Sequence, residues 1–455
     1  MKTRFMWDYC VYHYFFIKYG TSLKILGESK AIYRVFCFHR GSGLRRVLVL
    51  RFSGDVTVKS PSVASKWQRI ILQHVKWRID GKADARLFHS RIIVYPSETI
   101  DEIELLNAVR TLFGLSSISP GFEVRTDTDE IVDAVHKLAG KAEGISLIPY
   151  KIVGINENPK EFFDKILRAF DETGLRIDKT SERKFFIETR GEKTFIFDEV
   201  IECVGGLPYG VGDKLVSLMS GGPDSTLSTW LMMRRGSPIV GVYIPLGGLQ
   251  AKKRALASAV HLFSNWTPRR EGKLYVIEID DILDEIALHA REKTSHVIFK
   301  RCILRVAGII SIIEQAKGIV TGELAGEHAS QTIWNLHVIS EAVKSFPIYR
   351  PVIGFDKMEV INKIKEIDEK LFEIVNKSVE ECTRIKPEIP ATRVQLSEIK
   401  RIEKVIDCSW KRLINKIVAS GRILYIKDFR ITREERVKIS SEVRKNIIKT
   451  LTSKD

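Results

Sequence analysis

The residues Ser220-Gly221-Gly222-Pro223-Asp224-Ser225 have the types and order that phosphate binding requires. Leu215 to Met219 ahead of them reads as a short buried strand, and Thr226 to Met233 behind them as the first turns of a helix. The chain thus leaves a strand, turns on two glycines and enters a helix. Glycines let backbone come close to a ligand. The free N–H groups and positive dipole end of a helix N-terminus favour an anion, most simply a phosphate. Pro223 suits the first helical turn, where its missing N–H costs little. Asp224 stands where a carboxylate could hold Mg²⁺ against that phosphate. No Gly-Lys-Ser/Thr follows, so the stretch is not a Walker loop, and it is not a G-x-G-x-x-G dinucleotide loop. The alternative is an ordinary glycine-rich turn, which the strand–loop–helix setting weighs against.

The elements that must position this loop are legible around it. From residue 211 strands and helices alternate, with strands at Leu215–Met219, Ile239–Ile244, Leu274–Ile279, Gly318–Thr321 and Ile348–Ile353. This is the signature of an α/β, doubly wound parallel sheet, which takes ligands beyond the carboxyl ends of its strands. Two small α+β modules precede it. In residues 46–118, strand patterns at 47–52 and 90–95 alternate with helical patterns at 67–77 and 103–112. In residues 119–210, helices at 129–139 and 159–173 accompany strands at 122–125 and 145–153 and a hairpin turning at Arg190-Gly191-Glu192. The stretch Gly205–Gly210 is a breaker-rich linker into the sheet domain, taken as 211–390. Residues 391–455 read as a charged, solvated helical extension, with basic helices at 397–407 and 432–450. Residues 1–45 are crowded with Tyr and Phe without a clear period and read as an atypical extension from a start placed too far upstream.

Composition bounds the partners. The 455 residues are too many for one typical core. A formal charge of +16 and a pI near 9.4 point to a polyanion, nucleic acid first, with an ordinary basic protein as the alternative. No apolar run spans a bilayer, and the early Cys10–Ile17 run, interrupted by His13, is not read as a signal peptide. The six cysteines form no C-x-x-C pair, which argues against a disulfide framework and a zinc ribbon and for a reducing cytoplasm.

Further segments join the loop in order: Lys300-Arg301, Thr321-Gly322-Glu323-Leu324-Ala325-Gly326 leading to Gln331 and Asn335, and Arg350-Pro351-Val352-Ile353-Gly354-Phe355-Asp356-Lys357. Taken by themselves, Gln331 and Asn335 could satisfy local backbone groups, Lys300 and Arg301 could be a surface pair, Tyr243 could be core, and Asp356 reads as a helix N-cap ahead of Lys357. The Ser220–Ser225 loop resembles the SGGxDS loop of PP-loop ATP pyrophosphatases, and the ordered set resembles the ThiI-type tRNA 4-thiouridine synthetases, also linked to thiamine biosynthesis. The likeness covers roughly residues 46–390: a ferredoxin-like module at 46–118, a THUMP RNA-binding domain at 119–210 and a PP-loop domain at 211–390.

This resemblance implies an ATP-dependent transfer of sulfur to tRNA. ATP would lie at Leu218, Met219, Ser220, Gly221, Gly222, Asp224, Ser225, Tyr243, Ile244, Gly322 and Gln331, with Lys300 and Arg301 countering phosphate charge. Uridine eight of tRNA would be adenylated at O4, and sulfur would displace AMP. Cys382, ahead of a Pro-x-x-Pro-x-Thr-like stretch, matches the family's active-site cysteine, and Arg384 and Lys386 nearby would favour its thiolate. Some relatives hold an iron–sulfur cluster through a C-x-x-C before the Lys-Arg pair. Here those positions are His296 and Phe299, so no cluster is expected, and Cys302 and Cys408 read as core or helical residues. No rhodanese-like domain is visible, which leaves the sulfur donor open between sulfide and a persulfide carrier. Such enzymes often act as dimers, which this sequence does not itself show. The rivals are another PP-loop tRNA-thiolating enzyme and a tRNA-binding protein that has lost catalysis.

Overall fold

The computed structural model describes residues 43–452 apart from 98–99, 101, 141, 143, 172, 291 and 379–389. The readings made for residues 1–42 and for Cys382 therefore lie outside the described residues. The chain divides into two compact units, one centred on 119–200 and the other carrying 50–98, 105–118 and 201–455.

The described chain opens with strand β1 (Arg45–Phe52), helix α1 (Pro61–Ile79), strands β2 (Ala83–Phe88) and β3 (Arg91–Pro96), helix α2 (Glu102–Arg110) and strand β4 (Leu115–Arg125). β2 and β3 form an antiparallel hairpin. The largely exposed β2 escaped sequence reading because only Ala85 in it is buried, so no alternation marks it. The 119–200 unit continues with α3 (Thr128–Ala139), β5 (Gly144–Val153), α4 (Pro159–Asp171), β6 (Arg176–Ile177), β7 (Lys184–Arg190) and β8 (Lys193–Phe197). Asp127 caps α3 by accepting from the N–H groups of Asp129 and Glu130. In this unit the end of β4 pairs antiparallel with β8, β8 antiparallel with β7, and β5 parallel with both β7 and β6. Ile131, Val135, Ile166, Phe170 and Ile187 are among the residues closing its core.

The second unit is built on a larger sheet. After β9 (Ile201–Glu202) come β10 (Leu215–Leu218), α5 (Pro223–Arg234), β11 (Ile239–Tyr243), α6 (Leu249–Trp266), β12 (Glu271–Val276), α7 (Asp280–His289), α8 (Glu292–Ile313), β13 (Ile319–Val320), α9 (Ile333–Ser340), β14 (Ile348–Tyr349), α10 (Lys357–Ile367) and α11 (Glu369–Val375). The chain ends with α12 (Leu396–Val405), α13 (Trp410–Ser420), β15 (Arg422–Lys427), β16 (Arg430–Arg436) and α14 (Ser441–Thr452). The sheet runs β14-β13-β10-β11-β12-β15-β16, parallel through β12 and antiparallel beyond it. Alternate residues of the strands enter opposite cores: Val216, Val240 and Tyr275 on one face, Leu215, Ile239 and Leu274 on the other. Both faces are covered, as a parallel sheet requires. β10 lies between β11 and β13, so the chain reverses direction of winding at its carboxyl end, where doubly wound sheets open a crevice. β14 stops at Tyr349, earlier than the sequence pattern suggests, because Pro351 has no N–H to extend a ladder.

The C-terminal residues correct an expectation. The helix expected at 397–407 is α12 and the later part of that expected at 432–450 is α14, but the segment is neither wholly helical nor a solvated extension. β15 pairs along the whole of β12, placing Leu424 and Ile426 in one core and Ile423 in the other, and residues 430–436, read as helical, form a strand. Some of the charges read as helical lie on the exposed outer strand β16, while the apolar residues of β15 are too few to show a period.

The 50–98 and 105–118 segments share this unit. Phe113 stacks on Trp266 and meets Trp230 edge-on. The buried Arg78 guanidinium donates to the carbonyls of Asn265, Thr267 and Pro268 at the C-terminal end of α6. Among the described residues no helix is long and apolar enough to cross a membrane.

Candidate active site

The Met219 N–H donates to the Val242 carbonyl (2.8 Å), so the chain stays in the sheet until Ser220 and then turns. Gly221 makes the turn at φ +76°, and a Cβ there would stand 2.4 Å from the Ala255 Cα of α6. Glycine is needed on both counts. Gly222 is the N-cap of α5 with Pro223 following, and no side chain caps the helix. The first N–H groups of a long buried helix are thereby left without a side-chain acceptor at the carboxyl edge of the sheet. Two serines clasp the turn. The Ser220 N–H donates to Ser225 Oγ (3.2 Å), the two hydroxyls lie 3.1 Å apart, and Ser225 Oγ donates to the Gly222 carbonyl (3.2 Å). Below them Thr229 Oγ1 donates to the Ser225 carbonyl (2.7 Å) and lies 2.8 Å from Ser217 Oγ, tying α5 to β10.

The loop leaving β13 closes the other side. A Cβ on Gly322 would lie 2.5 Å from the Ser225 nitrogen, so the backbone there rests on the first turn of α5. Next to it Glu323 is buried and accepts from Thr321 Oγ1 (2.6 Å) and Arg350 Nε (2.7 Å), with Lys300 Nζ at 3.6 Å. Burial lowers the Lys300 pKa, partly opposed by Glu323. For Glu323 burial acts upward, but the charges of Lys300 and Arg350 outweigh it and hold the carboxyl below its ordinary range. Lys357 Nζ donates to both Asp224 oxygens (2.8 and 2.7 Å) and lies 3.6 Å from Glu327. Lys357 is set at the first position of α10 by a capping box between Asp356 and Glu359, so Asp356 is the N-cap that its sequence setting suggested. Asp224, Lys357, Glu327, Lys300, Glu323 and Arg350 thus alternate in sign around the loop.

Other expected residues are placed differently. Arg301 follows Lys300 on α8, but consecutive helical residues point about 100° apart. Its guanidinium is 1% exposed and is spent on Glu403 (2.8 Å), Glu341 (3.0 Å) and the Val338 carbonyl. It is neither a phosphate counter-charge nor half of a surface pair, since Lys300 is sheltered as well. Gln331 Oε1 accepts from the Leu324 N–H (2.9 Å), and Asn335 holds the Ala329 and Ala391 carbonyls and the Val394 N–H. Both satisfy backbone, which shapes the loop after Gly322. Leu218 is half-buried, Met219 and Ile244 are buried, and Tyr243 at the end of β11 is 3% exposed. The Tyr243 hydroxyl is buried with no hydrogen-bond partner, and burial pushes its pKa up to about 12. Phe299, Cys302 and Cys408 belong to a hydrophobic core. Among the described residues no group of three or more His, Cys, Asp or Glu could hold a metal ion.

Sequence reasoning missed the place of Glu323, Arg350 and Lys357 beside the loop. They sat inside quoted motifs, but only the fold shows which of their charges face it.

The arrangement is a glycine turn clasped by two serines at the carboxyl edge of the sheet, with the Asp224 carboxylate at its rim and the sheltered Lys300 behind it. Residues 210–408 match the family model described as thiamine biosynthesis protein (ThiI). The chain is 31% identical over 335 residues to a probable tRNA sulfurtransferase of Methanothermobacter thermautotrophicus, covering 70% of this chain and 84% of that protein. It is 27% identical over 379 residues to a probable tRNA sulfurtransferase of Saccharolobus islandicus, covering 81% of this chain and 98% of that one. A crystal structure of a 4-thiouridine synthetase–RNA complex with bound ATP superposes with a TM-score of 0.71 at 25% identity, over 84% of this chain and all of that one. The fold of PH1313 from Pyrococcus horikoshii is also shared, with a TM-score of 0.52 at 19% identity over 70% of this chain and 98% of that one. With a relative matched at 31% identity over 84% of its length and the family model matched over 210–408, the chain belongs to the ThiI family of tRNA sulfurtransferases.

Proposed function

We propose that this protein is an ATP-dependent tRNA sulfurtransferase that converts uridine eight of tRNA to 4-thiouridine. The observation that carries the reading is the clasped Ser220–Ser225 turn with Gly322 resting on it, a cradle in which a side chain at Gly322 would meet backbone. Its uncapped helix N-terminus suits the triphosphate of ATP. Mg²⁺ commonly takes one or two carboxylates and completes its shell with phosphate oxygens and water, and Asp224 and Glu327, gathered around Lys357, fit that donor set. When bound it supplies charge neutralisation on the triphosphate.

The uridine O4 attacks the α-phosphorus, the bond to the bridging oxygen breaks and pyrophosphate leaves with the electron pair. Hydrosulfide, or the terminal sulfur of a Cys382 persulfide, then attacks C4, the C4–O bond breaks and AMP departs with the electron pair. On the persulfide route an external thiol next attacks the Cys382 sulfur, breaking the S–S bond so that the pair stays on the C4-bound sulfur and a disulfide forms at Cys382. The protein's contribution is positioning and charge. The turn N–H groups hold phosphate oxygens, Lys357 compensates charge that builds on pyrophosphate, Asp224 would hold Mg²⁺ at the rim, and Lys300 sets a cation beside Glu323 behind the turn. Cys382 is the proposed sulfur carrier: its thiolate takes the outer sulfur of a persulfide-bearing protein, which leaves as a thiol, whereas sulfide, where it is the donor, attacks C4 directly without passing through Cys382.

The test is reconstitution of wild type and Cys382→Ser with unmodified tRNA and Mg-ATP, supplied either with sulfide or with a persulfide donor and a thiol, read by nucleoside chromatography and by pyrophosphate release. Formation of 4-thiouridine at position eight is expected. Loss of product in Cys382→Ser with the persulfide donor but not with sulfide marks relay through that thiol, and retention with both marks direct attack. Absence of both AMP and thiouridine from folded, tRNA-binding protein would overturn the catalytic reading in favour of a binding protein.

A further inference from the structure

Beside the turn lies a charged group that the catalytic description leaves unused. Arg254 stands on the second turn of α6, one residue before the Ala255 that packs against Gly221. One terminal nitrogen, Nη1, donates to the Lys377 carbonyl at 2.9 Å, just beyond the end of α11. The other, Nη2, lies 3.9 Å from the point where a Cβ on Gly222 would be, alongside the N-cap of α5. The third, Nε, is buried and has no hydrogen-bond partner. The nearby Tyr243 hydroxyl, whose charged neighbour is this guanidinium, is likewise buried and unpartnered. Buried donors without acceptors are uncommon in folded proteins, and two of them at one place ask for a ligand that supplies the acceptors. A phosphate at the N-terminus of α5 would do so. The Lys377 carbonyl fixes the orientation of the planar fork before the ligand arrives, which reduces the entropy lost on binding.

We propose that Arg254 is a nucleotide-positioning residue, presenting its guanidinium to a phosphate oxygen of the bound nucleotide across Gly222, with the Tyr243 hydroxyl as a second donor beside it. The inference deepens the ATP reading and rests on it. Arg254 supplies the cationic side chain that the turn itself lacks, since no Lys or Arg occurs among Ser220–Ser225. The residue acts on phosphate and not on the base or ribose, so its loss separates ligands by their phosphates.

The experiment is calorimetric titration of wild type, Arg254→Met, Arg254→Lys and Tyr243→Phe with Mg-ATP and with adenosine, with thermal melts as the folding control. Arg254→Met is expected to weaken Mg-ATP by about ten- to a hundredfold, the range for a charged hydrogen bond, and to leave adenosine unchanged. Arg254→Lys restores part of the loss, and Tyr243→Phe costs less than Arg254→Met. Should Arg254→Met not fold, Arg254→Lys carries the test, because a point charge without the fork still weakens Mg-ATP relative to adenosine. Equal loss of both ligands, or Mg-ATP binding at wild-type strength in the folded variants, overturns the inference while the ATP reading stands. Failure of wild type itself to bind Mg-ATP overturns that reading, and this inference with it.

Discussion

At the scale of single residues, the site depends on backbone approaching backbone. The atoms a Gly322 side chain would meet are the Ser225 nitrogen and the Asp224 carbonyl carbon, neither of which can swing aside. Gly322→Ala is therefore expected to destabilise the protein by about 1–3 kcal/mol, the usual cost of overpacking, and to cut pyrophosphate release by more than about tenfold as the cradle shifts. Thermal melts and a pyrophosphate assay check this, and unchanged turnover would mean that the turn is not the phosphate site. The Asp224–Lys357 pair makes a different demand. Lys357 is 41% exposed, so breaking the pair costs stability less than about 1 kcal/mol. Asp224→Asn and Lys357→Met should melt near wild type yet lose about a hundredfold or more in turnover, in line with the loss of one charge-stabilising group. A matched loss of stability and activity would instead mark the pair as structural.

At the scale of elements, the joint between α6 and α11 turns on one carboxylate. Asp368 Oδ2 accepts from His261 Nε2 (2.8 Å), Asn265 Nδ2 (2.8 Å) and Trp266 Nε1 (3.1 Å), while Oδ1 caps α11 at the Leu371 N–H. Burial acts to raise its pKa, but His261 and the other donors outweigh it and bring it from 3.8 down to about 2. The depressed value means the folded state binds this proton less readily than the unfolded chain. The stabilisation, about 2 kcal/mol, is complete at pH values above about 4 and is lost as pH falls through about 2. Asp368→Asn should remove that acid-side slope, and unfolding midpoints measured between pH 2 and 5 would show it. An unchanged slope would place the acid sensitivity elsewhere, with the buried Glu403 that holds Arg301 and Arg305 the next candidate.

At the scale of the whole molecule, the charge of +16 is a statement about its polyanionic partner. Binding of tRNA should weaken by more than about tenfold between 50 and 200 mM salt, because phosphate contacts release counterions. ATP binding in a cradle of backbone N–H groups should change far less. Filter binding across a salt series with both ligands checks this, and a flat response for tRNA would mean that few of the basic residues meet its backbone.

How much of this could be read in advance differs from part to part. The glycine turn, its strand and its helix were legible because they are local: residue order alone fixes a turn that needs positive φ, and apolar periodicity fixes what flanks it. The alternating strands beyond residue 211 likewise announced a parallel sheet. Long-range pairing was not legible. Nothing in Arg422–Lys427 says that it closes against β12, because a ladder partner 150 residues away leaves no periodic mark. The neighbours Lys300 and Arg301 look alike in sequence, and only the helix phase and the placing of Glu323 and Glu403 send one toward the cradle wall and the other into a buried ion cluster. Arg254 was invisible for the same reason. The sequence by itself determined the chemistry of the turn, because that chemistry is carried by adjacent residues. Which distant charges surround the turn was decided by the tertiary structure, because electrostatic and hydrogen-bonded neighbours are set by the packing of separate helices on the sheet.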